Sequence, residues 1–416
     1  MSRTAEPTTV AAPRGALGLI VDPVFGALFW GKIFSVIAVW THGIVAAIVV
    51  YDATQSALMV GLVGVAQFAP QLILSPTSGK WADTGDPTRQ ILLGRVLCIL
   101  GSGFVAVWLF ADPEGSVSAA VPVLLGSLLV GFGFVVGGPA MQSIVPNLIR
   151  EGELSTAMAL NSMPMTIGRI VGPAAGAYIA ANLGAAVGFA VSAGLHLVFA
   201  VLLVVVRFPA PPERRPDADY RVRAALRYVW RDRPLLLALV AVTTVGVVSD
   251  PSITLTPSMA DALGGGPGLV GILSATFGVG AAVGMAVLAL LGGRIASPRV
   301  SWVGLCGMGL GCGILTASTV TPVAVVGFVV TGLGFGWALT GLSTVVQERA
   351  PEDLRGRIMA LWLVGFLGSR PIAAAVLGGT ADLVSVQAAF GVAAVLGVAV
   401  ALRCRPANLS GPPPAM

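Results

Sequence analysis

The chain is 416 residues long, 56% hydrophobic and only 10% charged, which leaves too little polar surface to cover soluble domains. That excludes a soluble two-domain protein and identifies a polytopic membrane protein. The formal charge of +5 would suggest nucleic acid in a soluble protein, but arginines distributed by membrane topology account for it, so no nucleic-acid partner is implied.

Residues 1–24 read as a small, polar N-terminal tail with no small-residue cleavage site before the first span, hence no removable signal peptide. About 20 apolar residues cross the hydrocarbon core as a helix. Twelve such runs follow, near 27–50, 56–78, 91–111, 118–144, 154–180, 183–206, 234–257, 267–291, 301–319, 322–347, 356–378 and 384–402.

Of 24 Lys and Arg residues, 22 fall on one side of this scheme: Arg3, Arg14, Lys32, Lys80, Arg89, Arg95, Arg150, eight arginines from Arg207 to Arg233, Arg294, Arg299, Arg349, Arg355, Arg357, Arg403 and Arg405. The opposite loops carry Asp52, Asp112, Glu114, Asp261 and Asp382. Basic loops stay cytoplasmic during insertion, so both termini are expected inside a plasma (inner) membrane. Four cysteines, Cys98, Cys306, Cys312 and Cys404, make no disulfide framework because none lies in an external loop.

Between spans 6 and 7, residues 208–233 begin with Pro209, Pro211, Pro212 and Pro216 and continue as an arginine-rich amphipathic helix with Val222, Leu226 and Val229 on one face. This segment reads as a cytoplasmic linker lying on the membrane surface. It separates residues 25–207 from residues 234–403, with 404–416 as a cytoplasmic tail. The halves repeat: Gly131-x-Gly133-Phe134 recurs as Gly332-x-Gly334-Phe335, and Met158-Ala159-Leu160 followed by Arg169 recurs as Met359-Ala360-Leu361 followed by Arg370, both 201 residues later. Gly61-Leu62-Val63-Gly64 opens span 2 as Gly268-Leu269-Val270-Gly271 opens span 8. The expected fold is therefore all-α, twelve transmembrane helices in two pseudo-symmetric six-helix halves, an architecture used for alternating access.

Three stretches carry a resemblance over nearly the whole chain. Gly79-Lys80-Trp81-Ala82-Asp83, with Arg89 nearby, is similar to the loop signature of the major facilitator superfamily, although Thr84 and Pro87 stand where arginines are usual. Gly168, Gly172, Pro173 and Gly176 in span 5 are similar to that superfamily's antiporter motif; small residues with one proline also make a close-packed, bendable helix of the kind an interface between moving halves needs. The connections 146–157 and 347–360, with Pro351-Glu352-Asp353-Leu354-Arg355-Gly356-Arg357, resemble the exporter branch that includes macrolide-efflux and enterobactin-type siderophore-export proteins. The resemblance implies the major facilitator fold and a gate in which Asp83 closes against the start of span 11, with Gly79, Arg89, Arg355 and Arg357 as its neighbours.

Ionisable residues inside spans are expensive and default to function. Arg169 and Arg370 occupy equivalent places in spans 5 and 11, where they either bind an anionic cargo group or are neutralised locally. Asp250, before Pro251 in span 7, and His42 in span 1 stand at near-equivalent depths and are candidates for proton coupling, since a desolvated carboxyl and an imidazole are proton carriers. Against that stand a helix end at Asp250 and a packed His42; His196 reads as structural. Gln67, Gln71, Gln142 and Asn161 bond either cargo or other helices. No zinc, phosphate-loop or Ser/His/Asp signature supports an enzyme, and no metal or cofactor is expected beyond the proton gradient.

The reading is a monomeric secondary transporter in the lipid bilayer that exports amphipathic small molecules, drug-like or siderophore-like, by proton-coupled antiport. Uptake by symport in the same fold and a non-transporting sensor or scaffold are its rivals.

Overall fold

The computed structural model describes residues 13–112, 119–150, 152–206, 208, 222–291, 294–351 and 354–411. After the short α1 (Ala16–Ile20), the N-terminal half comprises α2 (Phe25–Thr54), α3 (Ala57–Thr84), α4 (Pro87–Ala111), α5 (Ala120–Ser143), α6 (Leu154–Leu183) and α7 (Ala185–Val205). Next come α8 (Val222–Arg231) and a seventh span built from α9 (Arg233–Ser249) and α10 (Pro251–Thr254), continued by α11 (Thr256–Ala262). The C-terminal half continues with α12 (Pro267–Leu291), α13 (Ser297–Thr316), α14 (Thr321–Arg349), α15 (Arg355–Gly368), α16 (Arg370–Leu383), α17 (Val386–Arg403) and α18 (Pro406–Leu409). Among the described residues, eleven stretches are long and apolar enough to cross a membrane. The remaining long helix, α6, has 30 residues and carries Asn161, Arg169, Pro164 and Pro173, which lower its hydropathy.

Helix starts follow from local chemistry. Ser56, Asp86, Asp232 and Ser385 each accept a backbone N–H of the first turn of α3, α4, α9 and α17, and proline follows the cap where α4 and α9 begin. Asp232 also receives the fork of Arg349 from the end of α14, at 2.8 Å to Oδ1. Arg14 ties the N-terminus to the start of α6 through Glu153 at 2.7 Å and to Asp22 at 2.5 Å. Its hydrogen bond holds the Glu153 carboxyl down to about 2 from the usual 4.5. Because the folded value is depressed, the tie is complete above pH 4.5 and fades as pH falls towards about 2.

The internal repeat is visible in the packing. A Cβ on Gly131 would strike the Gln67 carbonyl of α3, and one on Gly133 would strike Gly94 of α4. Gly332 meets Phe277 of α12 and Gly334 meets Gly304 of α13 in the same way. Thus α5 sits on α3 and α4 as α14 sits on α12 and α13, the close backbone approach that small residues permit in lipid.

Several sequence expectations need correction. Spans 7 and 11 are not continuous helices: the first breaks at Asp250-Pro251, the second at Ser369-Arg370-Pro371. Lys32 and Arg95 do not belong with the loop cations; they are 6% and 0% exposed, inside α2 and α4. The span 5 glycines do not line a seam between halves, for Gly168, Gly172 and Gly176 abut Val36, Trp40 and Ile44 of α2 in their own half. In α8, among the described side chains, Ala225 and Val229 are buried, while Leu226, expected on the same face as Val229, is 40% exposed. Linker residues 209–221 lie outside the described residues.

Candidate functional site

Proline has no N–H to continue a helical ladder. At Pro251 the ladder closes early, with the Asp250 N–H donating to Val247 O at 3.3 Å, and α10 restarts from the Asp250 carbonyl, which accepts from Ile253 at 2.9 Å. At the other break Ser369 donates through Oγ to Thr243 O of α9 at 3.1 Å, which pins the end of α15 to span 7. Both interruptions leave an ionisable side chain at the seam between the halves. Broken helices at mid-depth are where transporter folds build their sites.

Three ionisable groups converge there: Arg169 from α6, Arg370 at the start of α16, and Asp250. The Arg169 guanidinium carbon lies 4.0 Å from the Phe335 ring centre, 5.1 Å from Trp40, 5.7 Å from Phe277 and 5.9 Å from Phe366. That of Arg370 lies 5.4 Å from Phe68, 5.4 Å from Phe366 and 5.6 Å from Trp40. Trp40 and Phe366 are therefore shared between the two cations. Ring faces are negative and attract cations, most strongly out of water.

Asp250 is 3% exposed, and its Oδ2 accepts from Thr254 Oγ1 at 2.9 Å. Its charge acts on both guanidinium groups. No ion pair within 4 Å joins them among the described residues. Beside the cluster a cavity of ≈ 10 Å³ touches Trp40, Arg169, Ser252 and Phe277. Another of ≈ 70 Å³ continues along Met165, Phe335, Met285 and Thr340. Together they hold a few waters at most.

The other sequence candidates divide. His42 does not meet Asp250. Both its ring nitrogens are bonded inside the N-terminal half, Nδ1 to Ser102 Oγ at 2.9 Å and Nε2 to Ser127 Oγ at 3.0 Å, and its ring is edge-on to Phe189. Two helical steps turn a side chain by about 200°, so with Trp40 facing the centre His42 faces away. Arg95 continues this interior polar layer, bonded to Ser35 and in contact with His196 and Phe199. Gln67 donates to Val39 O at 3.4 Å and joins helices, whereas Gln71 keeps a buried Oε1 without a partner.

Asn161 and Gln142 are bonded to each other, and Asn161 Oδ1 also takes the Lys32 ammonium, which reaches Met141 O at 3.3 Å. Sequence reasoning missed Lys32 because its position near a helix start looks like a loop cation. The signal that could have found it is the spacing Lys32, Val36, Trp40, one stripe of a helix.

Polar contacts across the seam and the gating candidates lie at opposite ends. At the end opposite the termini, Asp382 in the last turn of α16 accepts from Ser56 Oγ at 2.6 Å, Ala57 N at 2.6 Å and Leu58 N at 3.0 Å. A carboxylate of one half thereby caps the first turn of α3 in the other. Tyr51 adds a bond to Asp261 at 3.2 Å across the same seam. Asp382 escaped the sequence reading because it looks like an ordinary acidic loop residue. At the terminal end α3 runs on through Gly79 and Asp83 to Thr84, beyond the span expected at 56–78, so this part of the loop signature is helical; the side chains of Asp83 and Arg355 lie outside the described residues. Gly79 has open space beside it, Arg89 is exposed and pairs with Asp86 at 3.2 Å, and Arg357 is half-buried on α15.

Comparison with known proteins agrees with this architecture. Residues 15–410 match the transmembrane secretion effector family. The enterobactin exporter EntS of Salmonella typhimurium is 27% identical over 367 residues, covering 87% of this chain and 86% of the relative. The Citrobacter koseri enterobactin exporter EntS is 28% identical over 371 residues, with 87% and 86% covered. Among solved structures, a D-xylose-proton symporter superposes with a TM-score of 0.73 at 14% identity, covering 91% of this chain and 95% of the other. A bacterial homologue of the human lysosomal transporter Spinster, in an inward-facing and unoccupied conformation, gives 0.72 at 14% identity, with 91% and 95% covered. At those identities the superpositions speak for the fold alone.

Proposed function

We propose that this chain, which belongs to the transmembrane secretion effector family of major facilitator transporters, exports amphipathic small molecules by alternating access and draws on the proton gradient. The chain is a membrane transporter and not an enzyme. Export, the cargo and the coupling are the proposal, and the observation that carries it is the convergence of Arg169, Arg370 and Asp250 at the seam between the halves. Asp250 is the carboxylate of that cluster and the group assigned to carry the proton in antiport against cargo. His42, turned into its own half, is not needed for this role.

The protein works as a monomer in the inner membrane with both termini in the cytoplasm, and needs no resident cofactor. The far end is closed by Asp382 on α3, so the cycle would open that seam and close the terminal end, where the resemblance implies a gate between Asp83 and the start of α15. The exporter relatives favour outward movement over uptake, and enterobactin is the first cargo to try because they are named for it.

Asp250→Asn preserves shape while removing the charge. In vesicles with an imposed pH gradient, this variant is expected to lose concentrative export of enterobactin while still exchanging cargo across the membrane. Undiminished uphill export would refute Asp250 as the proton site, and absence of enterobactin flux in the wild type would refute enterobactin as the cargo.

A further inference from the structure

The central cations have donors to spare. Nε and Nη2 of Arg169 and all three guanidinium nitrogens of Arg370 are buried without a hydrogen-bond acceptor, and Arg370 is 1% exposed. An unpaired buried charge is costly, and ring faces offset only part of that cost. Asp250 does not relieve it: no ion pair forms within 4 Å among the described residues, and its Oδ2 is engaged by Thr254. Even with Asp250 ionised, two positive charges face one negative. The site is therefore short of one negative charge and of acceptor oxygens, inside walls made of Trp40, Phe68, Phe277, Phe335 and Phe366.

A third cation marks the approach. Asn161, Met165 and Arg169 are four residues apart on α6, and Lys32, Val36 and Trp40 are four apart on the facing stripe of α2, where Val36 touches Gly168. Lys32 thus lies on the same track as Arg169, about 12 Å nearer the helix starts at 1.5 Å per residue. It is bonded to an amide and a carbonyl, and no carboxylate pairs with it among the described residues.

From this geometry we infer that the cargo is an organic anion carrying an aromatic ring, whose acidic group is received by Arg169 and Arg370 while the ring stacks on their aromatic walls, with Lys32 as the first station of the route. A planar guanidinium offers paired N–H donors that match a carboxylate, and it stacks on rings as an ammonium does not. The inference rests on the export reading for the direction of travel but not for the site itself.

The test uses the full-length protein, purified in a nonionic detergent, and three ligands of one ring system: 2-naphthoate, its methyl ester, and 2-naphthylmethylammonium. Binding is read by quenching of tryptophan fluorescence and by thermal stabilisation. Naphthoate is expected to bind saturably and about tenfold or more tighter than the ester or the amine. Arg169→Gln and Arg370→Gln should each weaken naphthoate by about tenfold or more, and Arg370→Lys, which keeps the charge but not the fork, by a smaller factor. Lys32→Gln should slow association and reduce its salt dependence, with little change in final affinity.

Since the ligand comparison on the wild type needs no variant, a misfolded mutant does not obscure the result. Equal binding of the ester or the amine, or no saturable binding of naphthoate up to about 10 mM, overturns the inference. Naphthoate binding by a protein that exports nothing would sink the export reading and leave the anion site standing. Export indifferent to the charge of the cargo would do the reverse.

Discussion

Arg169 and Arg370 stand out in the sequence because a guanidinium inside a twenty-residue apolar run is costly, and the sequence leaves open whether cargo or local groups neutralise it. What the sequence could not supply is the facing direction of a side chain. Lys32 and Arg95 were counted with the loop cations because charge counting sees distance from a helix start and not the side of the helix; both turn inward. His42 fails the other way, matched to Asp250 in depth but pointing at Ser102 and Ser127. This separates two roles by experiment. If His42 is a packing residue, His42→Gln should leave the pH profile of export unchanged while lowering stability by about 1–2 kcal/mol, the net worth of one or two buried hydrogen bonds. A shifted pH profile in a stably folded variant would return His42 to the coupling machinery.

At the scale of elements, the two interruptions were half legible. The dipeptides Asp250-Pro251 and Arg370-Pro371 announce a fault in the helical ladder, yet the apolar runs continue past them, so hydropathy alone draws unbroken spans. The far-end latch was not legible, because it depends on α16 meeting α3 across 325 residues of sequence. Gly61 lets it happen: a Cβ there would strike the Ala374 carbonyl of α16, just as one on Gly378 would strike Ala57. Asp382 then supplies acceptors for two N–H groups at the start of α3, with Ser56 satisfying Met59 N. The same chemistry, carboxylate on helix N-terminus, is what the resemblance implies for Asp83 at the opposite end. Asp382→Ala removes a cap worth about 1 kcal/mol and should shift the balance from far-end-closed towards far-end-open by roughly fivefold. Spin labels at Asn182 on α6 and Leu383 on α16 would report it as growth of a longer distance. An unchanged distribution would mean that helix packing alone keeps the seam shut.

Across the whole molecule, the repeat was the most legible feature. Glycine pairs 201 residues apart perform the same packing in α5 and α14, so conserved spacing within one chain stood in for three-dimensional symmetry. Sidedness rests on the arginine distribution alone. An exporter that carries negative charge outward moves with an inside-negative potential, about 2.3 kcal/mol per charge per 100 mV, and the same cargo entering would move against it. That work is set by the direction of cargo movement, whereas the orientation of the protein decides which end opens to the cytoplasm, and it can be measured directly. Asn182 ends α6 exposed at the end opposite the termini, and Asn408 is exposed in α18 beside the C-terminus. The native cysteines are buried except for the half-buried Cys306 in α13, which gives a low background. A membrane-impermeant maleimide should label Asn182→Cys on intact cells, and Asn408→Cys only after permeabilisation. Labelling of Asn408→Cys on intact cells would invert the molecule and put the Asp382 contact on the cytoplasmic side, so that the seam closed in this structure would be the inward one.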